Sequence, residues 1–107
     1  MSKEQWQNLY DILYRIHSDF SNAYRAYDKG KNKKIRDDAK RQVDNAITLA
    51  NIHISRSREA YELLTGGPDN NDYGRAIIYE EFLRANYFGG DMNKFLILIK
   101  ERIASIE

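Results

Sequence analysis

The chain has 107 residues, 42% of them hydrophobic and 31% charged, and a formal net charge of +1, a balance that fits one globular unit over residues 1–107 and leaves no room for a second core. With no cysteine in the sequence, disulfides, thiolate zinc sites, iron-sulfur clusters and cysteine nucleophiles are excluded. A mean hydropathy of -0.73 without a long uncharged apolar run excludes an α-helical membrane span, and the opening residues carry charges throughout and lack the apolar core of a secretory signal, so a cytoplasmic location without a membrane partner is expected.

The first predicted element is a long helix over about 2–28, opened by a capping box in which Ser2 and Gln5 exchange side-chain and backbone hydrogen bonds. Trp6, Leu9, Leu13, Ile16, Phe20, Ala23 and Tyr27 recur at spacings of three and four, the stripe of a helix lying along a bundle. Beside it runs a half-polar line of Tyr10, Tyr14, His17, Ser21 and Tyr24. A second long helix is expected over about 32–64, with Val43, Ile47, Ala50, Ile54, Ser57, Tyr61 and Leu64 on one line and Ala39, Ala46, Leu49, His53, Ala60 and Leu63 on its neighbour. Two adjacent stripes imply contact with two neighbours, and the many small residues permit close approach to Trp6 and Phe20. If Gly30 marks the bend of an antiparallel hairpin, residues of these two helices whose numbers sum to about 60 lie level.

The remainder, from 71 to 107, divides in this reading at Gly89-Gly90, where Asp91 would cap a fresh helix. Ile77, Ile78, Phe82, Ala85 and Phe88 line the third helix, and Phe95, Leu96, Ile97, Leu98 and Ile99 form an unbroken apolar run in the fourth. A helix apolar on every side is either deeply packed or shared with a second molecule. The expected fold is therefore all-α: an antiparallel helical bundle in which two long helices form a hairpin and two shorter C-terminal helices, broken at Gly89-Gly90, complete it.

Chemistry is sparse in this pattern. His17 and His53 fall at different levels of the hairpin, roughly 15 Å apart at 1.5 Å per residue, and no Glu-x-x-His or His-Glu-x-x-His surrounds either, so both read as edge residues of helix faces. The stretch from Asp69 through Asn71 and Gly74 to Glu80 matches positions 1, 3, 6 and 12 of an EF-hand loop, but Tyr73 stands where a third oxygen ligand belongs, and a helix-connecting turn explains it as well. Glu80 and Glu81 are adjacent on a helix and point about 100° apart, as charges of a solvated face do. No Gly-rich phosphate loop is present. The reading is a non-enzyme with no cofactor and no metal.

The near-zero net charge conceals an asymmetry. Residues 29–41 carry seven basic side chains, Lys29, Lys31, Lys33, Lys34, Arg36, Lys40 and Arg41, against two acidic ones, and the rest of the chain carries 10 basic and 14 acidic. The cluster falls on the start of the second helix, where the macrodipole favours negative charge, so it is either an anion-binding surface or a solvated hairpin offset by Asp37 and Asp38. No aromatic residue interleaves it in sequence, which argues against base stacking there. The eight tyrosines offer a second surface, since a tyrosine ring supplies apolar area while its hydroxyl tolerates water. The leading expectation is a self-associating protein-interaction module that uses Tyr10, Tyr14, His17 and Tyr24 or Leu96, Ile97 and Leu98; the alternative is a nucleic-acid-binding accessory protein acting through the basic hairpin.

Overall fold

A computed structural model describes residues 1–66 and 77–106, and among these every regular element is a helix: α1 (Lys3–Lys29), α2 (Lys33–Ser55), α3 (Arg58–Thr65), α4 (Tyr79–Phe82) and α5 (Ala85–Ser105). The capping box that opens α1 is present in both directions, Gln5 N–H donating to Ser2 Oγ at 3.1 Å and Ser2 N–H to Gln5 Oε1 at 2.8 Å. Asn32 caps α2 by accepting from Ile35 N–H at 2.9 Å. The three residues between α1 and α2 force an antiparallel hairpin, and Arg36 of α2 comes to lie over the Tyr27 ring of α1, close to the level that the hairpin register predicts.

The α1 stripe is buried from Trp6 to Ala23, and its far end is only half-covered at Tyr27. It packs against Val43, Ala46, Ile47, Ala50 and Ile54 of α2 and the inner face of α5 in one apolar cluster. Among the described residues the interior holds no polar or charged side chain. The level of α5 along α1 is fixed by paired contacts at both ends: Arg102 lies over Trp6, and Phe88 meets Phe20 with ring centroids 4.6 Å apart. Helices α3 and α4 close the side between α2 and α5, where Tyr79 sits edge-on to Tyr61 and Phe82 packs on Phe88. No helix of the described residues is long and apolar enough to cross a membrane.

The all-α hairpin architecture is as the sequence predicts, with three corrections. The long second helix is interrupted at Arg56 and Ser57, because Ser57 takes an extended backbone and its hydroxyl caps α3 at Ala60 N–H. The predicted break at Gly89-Gly90 does not exist: α5 runs through both glycines, Asp91 caps nothing, and the chain breaks instead at Leu83 and Arg84. The glycine at 89 serves close packing, since a Cβ there would stand 3.2 Å from the Phe20 ring. The second α2 line is also overdrawn, as Ala39, Ala46 and Ala60 are buried while Leu49 is 49% exposed.

Candidate interaction surface

Along the outer seam between α1 and α5 the structure assembles a groove of about 350 Å³ lined by Tyr10, Tyr14, His17 and Ser18 from one helix and Asn93, Leu96, Ile97 and Lys100 from the other. Five of the seven residues expected to form an interaction surface thus share one site. Helical spacing explains the two walls: Tyr10, Tyr14 and His17 recur at four and three, as do Asn93, Ile97 and Lys100, so each set stays on one side of its helix. Tyr10 and Tyr14 stack with centroids 6.1 Å apart. The Lys100 ammonium lies 5.4 Å from the Tyr10 ring centroid, a cation-π contact that ties the two walls together. At one end of the groove the His17 Nε2–H donates to the Gly89 carbonyl at 3.1 Å.

Exposure separates the members. Tyr14 is 55% and Ile97 51% exposed, whereas Leu96 and Leu98 are 5% and 7%. The expectation that the three-residue run Leu96, Ile97, Leu98 offers a surface is therefore corrected: Leu96 forms the groove floor, Leu98 belongs to the core, and Ile97 alone projects. Their successive 100° rotations put Leu96 and Leu98 on the two flanks of α5 that neighbouring elements cover, with Ile97 between them. Tyr24 does not line the groove: half-buried like Tyr10, it stacks on Phe20 at 5.6 Å and tilts against Tyr27 at 6.3 Å at the edge of the core. Sequence reasoning missed Asn93 and Lys100, although their i, i+4 and i, i+3 relation to Ile97 marks them as its neighbours.

The opposite seam, between α1 and α2, is built differently. Asp19, Asn22, Gln42 and Asn45 line it together with Ile16, Ala46 and Leu49, so it joins amide and carboxylate groups to apolar ones but carries no basic side chain and no aromatic ring.

All seven basic side chains of residues 29–41 are exposed at the hairpin end. Lys31, Lys33, Arg36 and Lys40 converge with Tyr27 and Asp37 on one concavity at the bend, while Lys29, Lys34 and Arg41 lie outside it. Here too sequence reasoning missed a member: Tyr27 is absent from the basic stretch, and the hairpin register alone places it beside Arg36. Among the described residues no three His, Asp or Glu side chains gather as metal ligands, and Asp69, Asn71 and Gly74 of the EF-hand-like stretch lie outside those residues. Comparison of the chain with protein-family models, with curated proteins and with solved structures finds no match.

Proposed function

We propose that this chain is a non-catalytic protein-interaction module that self-associates through the α1–α5 face. The observation that carries the reading is the convergence of Tyr10, Tyr14 and Ile97 on one groove, with Tyr14 and Ile97 each more than half exposed above the buried Leu96. An exposed aromatic and an exposed β-branched residue across an apolar floor are the components of an interface hot spot, in which large side chains enter a partner's groove and a polar rim excludes water.

A second copy is the occupant this face suits. A two-fold interface sets the same patch against itself, so it must carry charges of both signs. Asp11 and Arg15 flank Tyr10 and Tyr14 on the exposed side of α1, and Lys100 stands on the facing helix, which gives a rim able to pair with its own rotated image. The seam between α1 and α2 lacks this combination.

Sedimentation velocity on the full chain tests the reading. The wild type is expected to sediment as a concentration-dependent dimer. Tyr14→Asp and Ile97→Asp should each weaken association by about tenfold or more, equivalent to about 1.4 kcal/mol, with helix content unchanged. Leu49→Asp, on the other seam, should leave association as it is. A monomeric wild type, or a dimer indifferent to both α1–α5 substitutions, would overturn the assignment.

A further inference from the structure

The hairpin end opposite the chain's N-terminus belongs to neither the core nor the α1–α5 groove. Helix α5 starts at Ala85, three residues before the Phe88 that meets Phe20, so it reaches along α1 to about the level of Ala23, and the last six residues of α1, about 9 Å at 1.5 Å per residue, and the first turns of α2 extend past it. On this projecting end Lys31, Lys33, Arg36 and Lys40 surround a concavity of about 330 Å³ in which Asp37 is the single acidic side chain. None of them is in an ion pair among the described residues, where the pairs are Met1 with Glu59 and Arg58 with Glu62. Unpaired cations held together on the start of a helix whose first turn has no acidic residue raise one another's energy, and a polyanion relieves that cost.

The arrangement is partly built. Arg36 is held with its guanidinium 5.5 Å from the Tyr27 ring centroid, and the bend residue Gly30 permits this, because a Cβ there would collide with Arg36 Cγ. Tyr27 carries the Arg36 guanidinium over its ring and lies tilted beside Tyr24. The ring is thus engaged by Arg36, and the groups that converge at this end are cations suited to phosphates.

We propose that the hairpin end is a binding site for the phosphate backbone of duplex nucleic acid, without base readout. Lys33, Arg36 and Lys40, spread along about 10 Å of helix, match a duplex that presents about one negative charge per 1.7 Å of its axis. An anionic membrane surface is the poorer match. Polybasic membrane contacts gain their hold from apolar side chains inserted beside the charges, and the one large apolar side chain exposed on this stretch is Ile35.

The test is fluorescence anisotropy of a labelled mixed-sequence DNA duplex titrated with the full chain. With four or five phosphate contacts, affinity should fall about 150- to 500-fold between about 50 and 200 mM salt and be insensitive to duplex sequence. Lys33→Gln with Lys40→Gln, both exposed and clear of the tyrosine ring, should reduce the salt slope by about 2 while circular dichroism stays unchanged. Adding Arg36→Glu should bring the loss to tenfold or more at low salt. The proposal is overturned by absence of duplex binding at low salt, by binding that these substitutions leave intact, or by binding to phosphatidylserine vesicles with none to the duplex.

Discussion

Gly89 and Gly90 are adjacent in one helix and meet different surroundings. A side chain at 90 would touch nothing within 4 Å, while one at 89 would press on the Phe20 ring. Gly90→Ala should therefore stabilise the protein by about 0.5–1 kcal/mol through the entropy it removes from the unfolded chain, raising Tm. Gly89→Ala should fall short of that gain because the ring must give way, and thermal unfolding of the two variants in the opposite order would contradict this packing. The same contrast separates Ile97 from Leu98: Leu98→Asp puts a charge in the core and should cost about 3 kcal/mol or more, while Ile97→Asp should leave the urea midpoint nearly unchanged at concentrations low enough that the wild type is itself dissociated. Sequence pattern alone told neither pair apart. A glycine reads as a helix stop or as a point of close approach according to what lies across from it, and in an unbroken apolar run the outward residue is decided by where the neighbouring helices stand.

Helix α1 was legible from its stripe and capping box because its start, register and buried face are all local properties. The junction between α2 and α3 was not. Ile54, Ser57, Tyr61 and Leu64 continue a helical spacing across it, so periodicity predicts one helix, whereas the structure caps a new one at Ser57 and buries Ala60 and Leu64. The Ser55 hydroxyl adds a bond to the Tyr79 hydroxyl at 3.1 Å, linking the end of α2 to α4, a partner no local pattern announces. Removing the cap tests which influence governs. Ser57→Ala should destabilise by about 1 kcal/mol in urea unfolding, as loss of an N-cap does. A gain in stability would mean instead that the two helices fuse into the single one that the periodicity describes.

At the scale of the molecule, the antiparallel register of α1 and α2 followed from the bend at Gly30, and it already contained the meeting of Tyr27 and Arg36. The position of α5 followed from nothing so short-ranged: Phe88 on Phe20 and Arg102 over Trp6 are contacts between distant parts of the chain. That placement turns a half-polar tyrosine line into one wall of a groove, withdraws Leu96 and Leu98 from the surface, and leaves the basic hairpin end projecting. The two surfaces respond differently to salt, apolar burial at the α1–α5 face being little screened and phosphate contacts at the hairpin end strongly so. The most direct measurement is molar mass by light scattering across a dilution series of the wild type and Ile97→Asp at low and high salt. The account predicts twice the 12.6 kDa chain mass for the wild type at both salt concentrations and the single-chain mass for the variant; a wild type that stays at the single-chain mass throughout would contradict it.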